Sequence, residues 1–174
     1  GQYLVLHLAI GESVLNRPYS ISSAPFEARG EKPFVEITVR ANRPYFVPDY
    51  LASHVKVGDV LEASLPFGTF YWEPLRDSKE IVALAGGSGI TPFYSMAKEI
   101  AFGKMKDCRL TILYGSVHMD DVVLGQELRD IEDICPNVRV IHVFSDEPEW
   151  EGETGFITIE IISRYATPDC TYMF

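Results

Sequence analysis

A glycine-rich turn between an apolar run and an amphipathic segment constrains this chain more than any other feature of its 174 residues. The residues from Ile81 to Ala85 are all apolar and predict a strand buried on both faces, as in a parallel sheet covered by helices. Gly86, Gly87 and Gly89 follow, and glycines permit backbone angles and close approaches that a side chain would prevent. The turn can therefore form a concave group of peptide N–H groups open to an anion.

A helix is predicted directly after the turn. Thr91 is a good N-cap residue, Pro92 suits the first helical position, and apolar residues recur at helical spacing until Gly103. A strand, a glycine turn and a helix N-terminus in this order form a diphosphate site. A turn of purely topological origin is the alternative, because the last glycine of the common dinucleotide fingerprint is absent.

The composition is that of an ordinary globular protein, with 47% hydrophobic and 23% charged residues. Of the net charge of −10, residues 75–174 carry −8, which argues against a nucleic-acid partner. We find no apolar run long enough to span a membrane and no signal peptide, so a cytoplasmic location is expected. The three cysteines are far apart and the four histidines lack ligand spacing, so no metal site is predicted.

Two types of pattern divide the chain near the polar, proline-containing segment 73–79. Residues 1–74 show short apolar stretches and frequent turns, including an expected hairpin and an alternating strand from Val35 to Arg40, which predicts a small antiparallel barrel or sandwich. In residues 75–174 strands alternate with helices, one of which carries Leu124 and Leu128 after a cap at Asp120 or Asp121. This second part is predicted to be Rossmann-like, with ligands at the carboxyl ends of its strands.

Arg17 and Tyr19 are two residues apart in a predicted strand, so they project to the same face. A guanidinium able to bind phosphate in a bidentate manner then lies beside an aromatic plane, a combination that suits a flavin dinucleotide. Ser20 points to the opposite face in an ideal strand. A surface arginine beside a core tyrosine is the alternative for this tetrapeptide taken alone.

The two motifs Arg17-Pro18-Tyr19-Ser20 and Gly86-Gly87-Ser88-Gly89-Ile90-Thr91-Pro92, in this order, resemble the ferredoxin–NADP⁺ reductase superfamily. The resemblance runs along essentially the whole chain. It implies an antiparallel FAD-binding β-barrel over residues 1–74, followed by a Rossmann-like parallel-sheet NAD(P)-binding domain over residues 75–174.

The same resemblance implies roles for individual residues. In the first motif, Arg17, with Pro18, would hold the FAD pyrophosphate, Tyr19 would pack on the isoalloxazine, and Ser20 would lie near flavin N5 as the candidate catalytic residue. The remaining implied cofactor contacts are Thr38, Val39 and Arg40 for the flavin, and Gly86, Gly87, Ser88, Gly89, Thr91, Pro92, Tyr114, Gly115 and Ser116 for the nicotinamide cofactor.

Selectivity between NADH and NADPH is expected to be decided after Ser116. A 2′-phosphate would require arginine or lysine there, but residues 116–121 contain Asp120, Asp121 and only a titratable His118. The sequence therefore predicts a preference for NADH.

The chain departs from the family pattern in three places. At the start of the helix expected to cap the FAD pyrophosphate, it has Tyr45-Phe46-Val47-Pro48-Asp49 in place of glycine and serine, and Asp49 adds a negative charge that would weaken FAD binding. The start matches the family's second barrel strand. The end, from Asp169 to Phe174, stops before the family's Cys-Gly-Pro segment, so we expect a fragment truncated at both ends or excised from a longer electron-transfer protein.

These observations predict an FAD-dependent oxidoreductase that passes hydride from NADH to FAD and electrons onward to a ferredoxin-like or other one-electron carrier, either a separate protein or a fused iron–sulfur domain. The acidic surface argues mildly against docking of an acidic ferredoxin. A non-catalytic nucleotide-binding module of a larger electron-transfer complex is the alternative.

Overall fold

The computed structural model describes residues 1–41 and 46–174. The chain starts with the predicted hairpin, formed by β1 (Tyr3–Ile10) and β2 (Ser13–Ser20), and Gly11 in the connecting turn has a φ of 61°. A short strand, β3 (Glu62–Ala63), pairs with the other edge of β1, so the antiparallel sheet has the order β2-β1-β3.

One face of this sheet forms the core of the first part. The alternating residues Leu4, Leu6 and Leu8 of β1 are buried, and Val47 of helix α1 (Phe46–Ser53) packs against them. The period of two thus places the apolar residues of β1 under the helix.

The prediction of a strand from Val35 to Arg40 is wrong. Only Ile37 makes a bridge, to Ile21, and the neighbouring backbone bonds go to a serine pair instead: Ser22 N donates to Glu36 O over 2.8 Å, and Glu36 N donates to Ser23 Oγ over 3.0 Å. A side-chain hydroxyl therefore takes the place of a ladder bond, and the alternating pattern does not extend into a strand.

The second part contains a five-stranded parallel sheet of order β7-β6-β5-β4-β8. Its strands are β4 (Glu80–Gly86), β5 (Arg109–Ser116), β6 (Val138–Phe144), β7 (Glu153–Thr154) and β8 (Thr171–Met173). Helices α2 (Thr91–Phe102) and α3 (Gly125–Ile134) share a core on one face, and α4 (Ile159–Tyr165) packs on the other. The predicted fold class, an antiparallel part followed by a Rossmann-like parallel sheet, is confirmed; the division at residue 74 stays a prediction.

Two predicted helix caps are wrong. Thr91 is the first residue of α2 rather than its N-cap, and its hydroxyl donates to Ser88 O over 2.9 Å. Asp120 and Asp121 lie in a 3₁₀ turn before α3, whose N-cap is Leu124 in the left-handed conformation with φ of 59°. Neither aspartate is the N-cap because α3 starts only at Gly125, and the Asp121 carboxylate pairs with Arg40.

Helix α2 is attached to the first part by a buried polar cluster. Lys98 is 7% exposed, and its Nζ lies 2.7 Å from Glu27 Oε2 and 3.1 Å from Glu36 Oε2. Ser95 Oγ donates to Ser23 O over 2.8 Å, and Phe26 N donates to Glu99 Oε2 over 3.2 Å. Since α2 begins at the glycine turn, these bonds position the turn relative to the antiparallel sheet.

Within the described residues, no helix combines the length and the apolar character that crossing a membrane requires. The same residues contain no group of three or more His, Cys, Asp or Glu side chains placed to hold a metal ion. All three cysteines are free.

Candidate functional site

A cavity of about 580 Å³ lies at the carboxyl ends of β4 and β5. Its volume is that of a small-molecule site. Its walls come from five places in the chain: the end of β4 with the glycine turn, the end of β5, Asp121 from the turn that follows, the segment after β6, and Arg40 from the first part. The cavity occupies the position at which open parallel sheets bind ligands, because the strand ends there leave the backbone accessible.

The glycine turn has the open geometry that its composition predicts. A Cβ atom built on Gly86 or Gly89 would meet no other atom within 4 Å, while one on Gly87, whose φ is 50°, would lie 3.6 Å from Arg40 Nη1. Both Gly86 and Gly87 line the cavity. The space that side chains would fill is thus left to a ligand, as a backbone cradle for a diphosphate requires.

Tyr114 does not line the cavity, but its hydroxyl contacts the backbone of the glycine turn. Its ring is fully buried, and its hydroxyl lies 3.0 Å from Gly87 O and 3.2 Å from Val123 O, while Val123 N donates to it over 3.0 Å. Burial raises the pKa of Tyr114, so the hydroxyl remains protonated at neutral pH and can donate. The structure places this hydroxyl in contact with the backbone of the glycine turn.

Gly115 and Ser116, the next two residues of β5, do line the cavity. An added Cβ on Gly115 would lie 3.5 Å from Ile157 Cδ1, so the absence of a side chain lets the opposite wall approach closely. The Ser116 hydroxyl is buried and makes no hydrogen bond of good geometry among the described residues, although it lies close enough to the Tyr114 hydroxyl to act on the pKa of that group. A buried hydroxyl of this kind at a cavity wall fits a site that a polar ligand completes.

Arg40 lines this cavity and bridges the two parts of the chain. Its Nη2 lies 2.6 Å from Asp121 Oδ1, and about two thirds of each side chain is buried. The resemblance implied a flavin contact for Arg40, with Thr38 and Val39. Thr38 and Val39 are half-buried and lead into Arg40, so the structure puts the end of that segment beside the glycine turn.

The rim of the cavity near the end of β5 is acidic. Met119 N donates to Glu147 Oε2 over 2.9 Å, and His118 Nδ1 bonds to Asp146 O. Asp121 lies in the cavity, and Asp146 and Glu147 directly follow its wall residue Ser145 in sequence, so the carboxylates on this side oppose a further phosphate group.

The first motif lies on β2. Directly opposed residues of an antiparallel pair share a face, and the partners of Tyr19 and Arg17 are Leu4 and Leu6, so both side chains are on the apolar face of the sheet. Tyr19 is half-buried against that core, whereas Arg17 is exposed, and its Nη1 donates to Asn16 O over 3.0 Å. An exposed cation on an otherwise apolar face marks a part of the face that remains open.

Ser20 and Pro18 lie on the other face of the sheet, because their partners are Tyr3 and Val5. The structure therefore keeps Ser20 apart from Tyr19, as the ideal strand geometry predicts, and the catalytic assignment of Ser20 stays a prediction. Ser88, Thr91 and Pro92 lie in the 3₁₀ turn and first turn of α2, directly after the cavity-lining glycines.

The short helix expected to cap the FAD pyrophosphate is present as α1. Asp49 lies in its first turn, and Val47 and Leu51 contribute to the same core as Tyr19. The N-terminal end of α1 is thus close to the face that carries Arg17. Tyr45, which precedes the helix in the predicted capping segment, lies outside the described residues.

Part of the cavity wall is formed by residues that were not predicted from the sequence. Ser145, Gly155, Phe156 and Ile157, all after β6, complete the side opposite the glycine turn. Gly155 has a φ of 86°, a conformation that favours glycine. In the sequence, the glycine itself is the local sign of a special backbone position there.

Comparison with known proteins places the chain in a family. Residues 83–173 match the family model for the oxidoreductase NAD-binding domain. Over 167 residues the chain is 31% identical to NADH-cytochrome b5 reductase 1 of Candida glabrata, and the match covers 94% of this chain and 57% of that protein. The chain thus spans a little more than half the length of that relative.

Solved structures share the fold. The cytochrome b5 reductase domain of Ulva prolifera nitrate reductase matches with a TM-score of 0.77 and 22% identity, over 98% of this chain and 72% of that one. The flavohemoglobin from Malassezia yamatoensis, solved with bound FAD and heme, matches with a TM-score of 0.76 and 19% identity, over 99% of this chain and 43% of that one. With the match over residues 83–173 and the predicted motif pair, this chain belongs to the oxidoreductase NAD-binding domain family and to the ferredoxin–NADP⁺ reductase superfamily.

Proposed function

We propose that this chain is the cofactor-binding part of an NADH-dependent flavin oxidoreductase. The observation that carries the proposal is the open glycine turn, which forms one wall of a cavity of about 580 Å³ at the carboxyl ends of β4 and β5. The match to an NADH-cytochrome b5 reductase supports NADH as the electron donor.

The residues of the cavity fit a dinucleotide. The bend at Gly86 and Gly87 supplies accessible backbone for the diphosphate, and Ser116 places a buried hydroxyl at the cavity wall. Arg40 brings a positive charge to the same place. These residues bind and orient NADH, and the wall around Ile157 excludes water from one side.

The open apolar face of β2 fits FAD. Arg17 would hold the pyrophosphate, Tyr19 would pack on the ring system, and the N-terminal end of α1 would face the same phosphates despite the charge of Asp49. When bound, FAD would supply the chemistry that accepts two electrons as hydride and passes them one at a time to a carrier. The chain's own contribution is alignment, since the bonds of α2 to the first part hold the two sites in a constant relation.

The electron acceptor that the comparisons favour is a heme protein. The matched relative is named for cytochrome b5, and the flavohemoglobin holds heme together with FAD. We therefore propose a heme protein or fused heme domain in preference to the ferredoxin-like carrier expected from sequence.

The test is spectroscopic. We expect the purified chain, incubated with FAD and desalted, to retain the visible flavin absorption bands and to bleach under anaerobic conditions when NADH is added. A chain that takes up no flavin would contradict the proposal. Retained flavin without bleaching by NADH would instead support a nucleotide-binding module without turnover.

Selectivity for NADH gives a second prediction. The flavin bound to the wild-type chain is expected to bleach at least about tenfold faster with NADH than with NADPH. The reason is that the Asp121 carboxylate repels a 2′-phosphate and forms an ion pair with Arg40. Asp121→Asn removes the negative charge that opposes a 2′-phosphate, so the ratio of NADPH to NADH rates should rise about tenfold. Initial bleaching rates at equal cofactor concentrations measure this ratio.

Asp133→Asn is the matched control, because it makes the same change in net charge at an exposed position of α3 away from the cavity. It should leave the ratio as in the wild type. Equal ratios in Asp121→Asn and wild-type protein would show that this carboxylate has no part in selectivity.

A further inference from the structure

We propose that the Tyr114 hydroxyl is a positioning group that sets the orientation of the Gly87–Ser88 peptide for the diphosphate of a dinucleotide. The inference rests on the proposed function and adds a residue that has no contact with the ligand. The direct cofactor contact that the resemblance implies for Tyr114 stays a prediction; because the fully buried ring is not part of the cavity wall, the role proposed here is an indirect one.

The hydrogen bonds around this hydroxyl assign its single proton. Val123 N donates to the oxygen over 3.0 Å, so the oxygen acts there as an acceptor. The proton has two carbonyl oxygens in reach, Gly87 O at 3.0 Å and Val123 O at 3.2 Å. We assign the proton to the shorter of the two contacts, so that the hydroxyl donates to Gly87 O and holds the Gly87 carbonyl toward the protein core.

A fixed carbonyl also fixes the amide that follows it. In a trans peptide the C=O and N–H bonds point in opposite directions, so a Gly87 carbonyl held on Tyr114 turns the Ser88 N–H away from the core. The φ of 50° at Gly87 allows this orientation without strain. The outward N–H is the group that a diphosphate at the bend accepts from.

The same hydroxyl secures a second wall of the site. Val123 follows the turn that carries Asp121 and precedes Leu124, whose φ of 59° starts α3 in a conformation uncommon for leucine. By binding Val123 N–H, Tyr114 ties this segment to the glycine turn. One buried side chain therefore sets the distance between the bend and the segment that holds the Arg40 partner.

Tyr114→Phe tests the inference, since it removes only the hydroxyl and keeps the ring in the core. The probes are ADP-ribose, which contains the diphosphate, and adenosine, which does not; binding of both is measured by titration. We expect the affinity for ADP-ribose to fall about tenfold and the affinity for adenosine to fall much less, with the retention of FAD unchanged. Equal losses for both probes, or no loss for either, would overturn the inference.

Tyr165→Phe is the matched control. Its hydroxyl donates to a side chain, Glu153 Oε1, over 2.7 Å, and makes no contact with the glycine turn among the described residues. This variant should bind ADP-ribose as the wild type does. A loss equal to that of Tyr114→Phe would overturn the inference, because it would make the effect a general one of losing a tyrosine hydroxyl.

A double-mutant cycle and amide exchange complete the test. Gly87→Ala perturbs the same peptide, so Tyr114→Phe in that background should cost no further affinity for ADP-ribose; additive losses would refute the coupling. Amide exchange in the wild type is a test that does not depend on the folding of any variant. The Val123 amide should be protected from exchange in the free protein, and the Ser88 amide should be protected only in the complex with ADP-ribose. A Ser88 amide that exchanges freely in the complex overturns the inference alone, whereas wild-type protein that binds no ADP-ribose overturns the proposed function as well.

Discussion

Replacing Gly86 by valine is expected to raise the Michaelis constant for NADH about 100-fold while the chain remains folded and binds FAD. Gly86 ends β4 with φ of −134° and ψ of 128°, a strand conformation that suits valine. An added Cβ would meet no protein atom within 4 Å, and the residue lines the cavity. The new side chain would therefore fill space that belongs to the ligand.

The measurement is the NADH dependence of anaerobic flavin bleaching, together with the thermal unfolding midpoint. Gly30→Val is the control, because Gly30 is also extended, with φ of −72° and ψ of −179°, and its added Cβ would make only ordinary contacts at 3.8 Å or more. Gly30→Val should leave the Michaelis constant unchanged. An unaltered constant in Gly86→Val would mean that the dinucleotide lies elsewhere.

The local features of this site were predictable because they depend on residues that are neighbours in sequence. A wholly apolar run predicts a buried parallel strand, and three glycines after it predict an open turn. The positions of Arg17 and Tyr19 on one face follow from the strand period alone. The order of the two motifs was sufficient to predict the superfamily and, with it, the fold class.

The tertiary parts of the site were not predictable in the same way. Arg40 and Asp121 are 81 residues apart in sequence, and neither has a local pattern that indicates the other. The predicted helix cap is wrong for a different reason, which is that α3 begins only at Gly125, too far along the chain for Asp121 to be its N-cap. The support of Gly87 by the Tyr114 hydroxyl likewise depends on how two adjacent parallel strands align.

Substituting methionine for Lys98 is expected to lower the free energy of unfolding by about 3 kcal/mol. The Lys98 ammonium lies between the carboxylates of Glu27 and Glu36 and is 4.7 Å from the centre of the Tyr94 ring. Methionine fills a similar volume but leaves Glu27, whose side chain is only 16% exposed, without its cation. Urea denaturation measures the difference.

Lys106→Met is the control for this loss, because it removes the same charge at an exposed position after α2 and should change stability by no more than about 0.5 kcal/mol. The double variant Lys98→Met/Glu27→Gln removes both charges and should recover a large part of the loss. A double variant as unstable as Lys98→Met would show that lost packing, rather than the stranded carboxylate, causes the effect.

The pH dependence of this difference provides an independent test of the ion pair. Burial disfavours the charged ammonium, but the hydrogen bonds to Glu27 and Glu36 outweigh it, so the pKa of Lys98 lies above its ordinary value of 10.5. A raised pKa in the folded state means that the stabilisation is complete below the unfolded value and is lost as the pH rises through the folded one. The stability gap between wild-type protein and Lys98→Met should therefore be constant near neutral pH and narrow above about pH 10.5. A gap that stays constant into that alkaline range would mean that the methylene stem of Lys98, and not its charge, joins α2 to the antiparallel sheet.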